Sequence, residues 1–307
     1  MPEWLIERGI GETRAALVAG DDILEARIVP QGAVEAGTQL AARLISSGRN
    51  AIARDASGTE YLLPKGAPGV SEGAALTIAV TRSAIPGAEP WKRALARVAS
   101  ADSPAADALP GRDAALPAAW DDLIEEARSG IIRFASGELR VSATPAMTLI
   151  DVDGWADPAE LAVAGAAHAA KAIRRLDIGG SIGIDLPTAR SKAARQAASA
   201  AIDAHLPQPF ERTAVNGFGF VQIVRPRTRA SLVELAHDRV GFEARALLRR
   251  LGAEPPGPKR IVAHPALVAV LEAHPAWRDA LAAQLGGAIS LRADPALPMS
   301  GGYGERP

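Results

Sequence analysis

MTLIDVDGW, residues Met147 to Trp155, drives a run of apolar side chains straight into two aspartates separated by one residue. Alternation along a strand sends Asp151 and Asp153 to the same side. Like charges held together are unfavourable unless a cation or a proton intervenes. The stretch therefore predicts a strand whose end asks for a metal ion, and the neighbouring segments decide which fold carries it.

Downstream, DPAELAVAGAAHAAKAIRRLD (157–177) predicts a helix with Asp157 as N-cap and Pro158 in the first position. Gly179 and Gly180 then turn the chain into a second strand, GGSIGIDLPT, which ends in Asp185. A helix, ARSKAARQAASAAIDAHL, and paired strands within FERTAVNGFGFVQIVRPR follow. Upstream lie a helix, WDDLIEEARSG, and the strands IIRFAS and ELRVSAT. Strand alternating with helix predicts an α/β fold, with a mixed or largely parallel sheet covered by helices on its faces, over residues 120–232.

Residues 1–34 alternate as a β-meander that packs on this core, and 35–98 hold short, evenly spaced strands suited to a small β-barrel. The Pro-, Ala- and Asp-rich stretch 99–119 reads as a linker. Residues 233–307 read as a small C-terminal α/β domain that finishes in a loop, MSGGYGERP.

Composition narrows the chemistry. The 307 residues are 48% apolar and 22% charged, which excludes disorder, and no apolar run reaches the roughly 18 residues of a membrane span. Glu3 and Glu7 stand where a signal peptide needs basic residues, so a cytoplasmic protein is expected. Without cysteine there are no disulfides, thiol nucleophiles or thiolate zinc sites. A net charge of −1 provides no global attraction to nucleic acid, so any such binding needs a local basic patch. His168, His205, His237, His264 and His274 show no metal-ligand spacing, and His264 and His274, each before a proline, read as structural.

In sheets of this kind ligands gather beyond the carboxyl ends of the strands. If the two strands are neighbours, Asp151, Asp153 and Asp185 converge there as catalytic residues. Hard oxygen donors without imidazole or thiolate favour Mg2+, or Mn2+, over zinc. Trp155, just after the aspartates, is placed to wall the site. LIDVDG also resembles the first motif of haloacid dehalogenase-like phosphatases, in which the first Asp is the nucleophile.

A longer resemblance spans Leu123 to Leu232: LIEEARSGIIRFASGELRVSATPAMTLIDVDG, AAKAIRRLDIGGSIGIDLPT and NGFGFVQIVRPRTRASL, in this order. These segments resemble the catalytic region of the ribonuclease E/G family, endoribonucleases that hydrolyse single-stranded RNA with magnesium and leave a 5' phosphate on the downstream piece. LIERGIGETRAALVAGDDILEARI is similar to that family's N-terminal strands, and the barrel stands where the family carries its S1 (OB-type) RNA-binding domain. The resemblance implies Asp151 and Asp185 as metal ligands, with Asp153 in place of an Asn that orients the site. It implies single-stranded RNA as partner and Arg225 and Arg227 as RNA-binding residues; Lys171 and Arg174 on the helix before Asp185, and Tyr61 in the barrel, are further RNA-binding candidates.

Arg190, Lys192 and Arg195 add positive charge just after Asp185, and Tyr61 is the only aromatic between Ala41 and Arg82. Taken singly, each of these cations is ordinarily a solvated surface group. Family features are also missing: the 5'-end sensor, the cysteines of the zinc link between subunits, and the Arg of a Ser-Arg-Phe-Gly motif that here reads NGFG. Any homo-oligomer would thus form without a zinc link. The expected function is a metal-assisted endoribonuclease; the alternatives are an RNA-binding homologue with impaired catalysis and, more distantly, the phosphatase.

Overall fold

The computed structural model describes residues 1–87, 89–100, 109 and 111–307. Strands β1 (Glu3–Arg8), β2 (Glu12–Ala19) and β3 (Asp22–Pro30) form an antiparallel meander. Strands β4 (Gln39–Ser46), β5 (Ala51–Asp55), β6 (Glu60–Leu63), β7 (Ala75–Arg82) and β8 (Ala94–Val98) close a five-stranded barrel with its own core around Leu44, Tyr61, Leu63 and Ile78. Much of the expected linker lies outside the described residues. Within it, β9 (Arg112–Asp113) pairs in parallel with β1, so part of the stretch is a sheet edge rather than a free connection.

The principal sheet has the order β10 (Ile131–Phe134), β11 (Gly137–Ala143), β12 (Thr148–Gly154), β13 (Gly180–Asp185), β15 (Phe220–Arg225), β14 (Glu211–Arg212). Helix α1 (Ala119–Ser129) leads into it, α2 (Pro158–Arg175) joins β12 to β13, and α3 (Lys192–His205) follows β13. Asp157 caps α2 by accepting the Ala159 N–H at 2.9 Å.

The sheet is mixed, within the expected range, and β12–β13 is its one parallel pairing among the described residues; α3 leads to β14, which returns antiparallel to β15. One expectation changes: helices do not cover both faces. Ile150, Val152, Ile182, Ile184, Val221 and Ile223 point into the core, and Gly165 brings α2 directly against Val152. The alternate residues Leu149, Asp151, Asp153, Asp185 and Val224 are exposed on the other face. Alternation along β12 encodes this one-sided burial.

Helices α4 (Leu232–His237) and α5 (Arg239–Gly252) lead to a C-terminal unit of α6 (Pro265–Ala273), α7 (Pro275–Leu285) and strands β16 (Lys259–Ala263), β17 (Ile289–Ala293) and β18 (Tyr303–Glu305). The expected terminal loop is thus partly strand, since β18 pairs with β16. His264 caps α6 by accepting the Ala266 N–H, and His274 stacks on Trp277. Among the described residues no helix is long and apolar enough to cross a membrane.

A buried ion network joins the N-terminal meander to α5. Arg14, 1% exposed, donates to Glu12 at 2.6 Å and to Glu7 at 2.8 Å. Arg245 donates to Glu12, and Arg249 to Glu7 and Asp121. Burial pushes the Glu7 carboxyl up, but the hydrogen bond and charge of Arg249, with Arg14 and the Leu116 N–H, hold it below its ordinary 4.5. A depressed carboxylate stabilises the fold above its unfolded pKa, and that contribution is lost as pH falls through the folded value. The stability difference between wild type and Glu7→Gln is therefore expected to be largest near neutrality and to shrink below about pH 4.5, as measured by urea melts across pH. A difference that stays constant would show that Glu7 is not held as an anion.

Candidate functional site

Parallel pairing of β12 with β13 sets Asp151 directly beside Asp185. The register continues sideways, Arg140 opposite Asp151 and Phe220 opposite Asp185, so one row crosses four strands as Arg140, Asp151, Asp185, Phe220. Asp153 lies one step further along, opposite Glu138. Directly opposed residues share a face with their side chains within contact range. Behind the row, Gly183 leaves room for its neighbours: a Cβ there would meet Phe220 Cζ at 2.7 Å and Leu149 Cδ2 at 3.0 Å. An apolar floor thus adjoins the acids.

The carboxylates sense one another. Partial burial first, then the charges of Asp153 and Asp185, raise the Asp151 pKa above its ordinary value, against the opposing pull of the Val152 N–H and Arg140. The expectation of three carboxylates converging in a crevice is nevertheless corrected. Among the described residues no group of three or more His, Cys, Asp or Glu is arranged to hold a metal ion. What the fold provides is one pair in register and a third carboxylate two residues on, all exposed on an open sheet face. Magnesium is commonly held in this way, by one or two carboxylates with waters and substrate phosphate rather than by an all-protein cage.

The expected RNA-binding residues are not gathered around this row. Arg225 is opposite Gly180, five residues down β13 from Asp185, on the order of 17 Å away at strand spacing. It donates to the Ile178 carbonyl at 3.0 Å, Arg227 is paired with Glu234, and Arg174 donates to Glu25 at 2.8 Å. Each guanidinium thus fastens the end of the sheet remote from the aspartates. Lys171, in the last half of α2, is exposed there and lines a cleft of about 640 Å³ with Glu126, His168 and Arg175.

Tyr61 is wholly buried in the barrel core, and its hydroxyl donates to Asp55 at 2.9 Å. Burial, then Asp55, raise its pKa. No ring face is open for a base, so this expectation is withdrawn. Tyr61→Phe is expected to leave affinity for an RNA oligonucleotide within twofold and to cost about 1 kcal/mol in a denaturant melt. A tenfold weaker complex would restore Tyr61 to the binding surface.

Other side chains occupy the neighbourhood instead. Arg190 and Lys192, just after Asp185, are exposed, whereas Arg195 is tied to the Ala189 and Arg190 carbonyls. Phe218 and Trp155 are exposed at the same end of the sheet. Arg140 and Phe218 were missed in sequence because only cross-strand register brings them to the aspartates.

Neither protein-family models nor curated proteins give a match to this sequence. The family resemblance rests on the quoted segments alone.

Proposed function

We propose that the chain is an endoribonuclease acting on single-stranded RNA with a magnesium ion held by Asp151 and Asp185. The observation that carries this reading is the register pairing of these two acids on adjoining parallel strands, both on the open face. Charge crowding at Asp151 is of the kind a divalent cation relieves. Bound there, the ion would supply charge neutralisation and water activation for phosphodiester hydrolysis.

The chain's own residues account for the rest. Asp153 adds a third negative charge beside the pair, and Arg190 and Lys192 supply positive charge for phosphates after Asp185, whereas Arg140 is engaged by Glu138 at 2.5 Å. The closed barrel supports a second contact with RNA by analogy with S1-type domains, although not through Tyr61.

A second reading, an RNA-binding homologue with impaired catalysis, is favoured by one observation: among the described residues no three-ligand group stands ready. The phosphatase reading, with Asp151 as nucleophile, has only LIDVDG behind it. One assay separates the three: incubation with a fluorescent single-stranded oligonucleotide, with magnesium or with EDTA, beside a small phosphate ester. Magnesium-dependent shortening that leaves 5'-phosphate ends is the expected outcome. Binding without cleavage sinks the nuclease, and turnover of the ester alone selects the phosphatase.

A further inference from the structure

The site at the paired aspartates leaves two aromatic rings without a role. Trp155 is 77% exposed and Phe218 83%. A lone exposed apolar side chain is ordinary on a soluble protein. These two differ in how firmly their backbones are held while the rings stay free.

Phe218 sits on a turn fixed from both sides. Asn216 Oδ1 accepts the Phe218 N–H at 2.9 Å and the Phe220 N–H at 3.1 Å. The Phe218 carbonyl accepts the Thr188 hydroxyl at 3.2 Å, and Leu186 N–H donates to the Gly219 carbonyl. Gly219 has φ +96° and lies so close to the Leu186 carbonyl that a Cβ has no space. Trp155 is held similarly: its N–H donates to the Ser136 carbonyl at 3.2 Å, and Gly154 before it presses on that same oxygen.

Topology places both rings beside the acids. Trp155 follows Asp153 by two residues at the end of β12, and Phe218 precedes by two residues Phe220, the register partner of Asp185. Because β12 and β13 run parallel and β15 runs against them, the ends of the first two and the start of the third share one edge of the sheet. In strand order Asp185 on β13 stands between the strands next to the two rings, and Asp151 lies on the strand that leads to Trp155. Exposed Arg190 and Lys192 follow Asp185 at this edge.

We propose that Trp155 and Phe218 are base-stacking platforms that seat a single strand of RNA across Asp151 and Asp185, with Arg190 and Lys192 supplying charge for its phosphates. This rests on the RNA reading above and names positioning residues for it. The alternative occupant, a second copy of the chain, fits the face poorly. Its centre is Arg140, Asp151, Asp185, Glu138 and Asp153, whereas charged residues are depleted from the cores of protein interfaces. Exposed rings beside acids whose charge a divalent cation offsets suit a nucleic acid strand, since every base has a face to stack.

Fluorescence anisotropy with a short labelled RNA, on the non-cleaving Asp185→Asn full-length chain, tests this. Trp155→Ala and Phe218→Ala are each expected to weaken binding about tenfold with unchanged Tm, and Trp155→Phe to retain most of the affinity. Abasic positions in the RNA should weaken the parent complex yet make little further difference to Trp155→Ala. Affinity within twofold of the parent in both alanine variants overturns the stacking proposal while leaving the nuclease reading intact. No RNA binding by the parent overturns both. A concentration-dependent dimer that Trp155→Ala dissociates shows instead that the face is a subunit interface.

Discussion

Asp185→Asn is expected to lower magnesium-dependent RNA cleavage about a thousandfold. Asn retains the shape of the side chain and removes the charge, which deletes several kcal/mol of metal-dependent stabilisation, and each 1.36 kcal/mol is a factor of ten in rate. Asp151→Asn should cost about as much, because its carboxyl is the register partner of the first. The double variant should be little worse than either, since residues that act as one unit are strongly non-additive. RNA affinity, by contrast, should hold or rise as a negative charge leaves the face. If Asp185→Asn cleaves within threefold of wild type, the carboxylate pair is not the catalytic centre.

The second large effect is on stability. Arg14→Met is expected to cost about 3 kcal/mol, because it leaves Glu7 and Glu12 with one cation each where they had two. Breaking a buried pair from one side is costly even when the intact pair contributes little net stability. The network spans β1, β2, α1 and α5, so weakened docking of the C-terminal unit should accompany the lower melting temperature. Urea melts and limited proteolysis measure both, and a denaturation midpoint unchanged from wild type would show that hydrophobic packing alone holds this junction.

Local signals in the chain were sufficient for the elements. Asp157 and Pro158 announce the start of α2, Gly179 and Gly180 its handover to β13, and the alternation of Thr148 to Gly154 the two faces of β12. Because α2 is a crossover between parallel neighbours, the pairing of Asp151 with Asp185 was legible too.

The partners of the cations were not legible. Arg174 meets Glu25, 149 residues earlier, and Arg225 meets a carbonyl 47 residues earlier, and no local pattern records such distances. A sequence lists positive charge near the aspartates in number, while the antiparallel run of β15 carries Arg225 to the opposite end of the sheet. Tyr61 misled for a similar reason, since in so small a barrel an aromatic side chain fills the interior. The uncovered face escaped because α3 looks like a second crossover helix, yet it delivers the chain to an antiparallel edge strand.

The handover after α2 has a further consequence. Asp177 adopts φ +52° and Gly180 φ +82°, and Gly179 lies against Pro226, so this short corner meters the chain into β13 with little slack. Lengthening or shortening it by one amino acid would rotate every side chain of the strand by half a turn, sending Asp185 inward and Ile184 outward. The acidic couple is thus guarded by a four-residue corner at the far end of the sheet, which tolerates exchange of side chains more readily than any change in length.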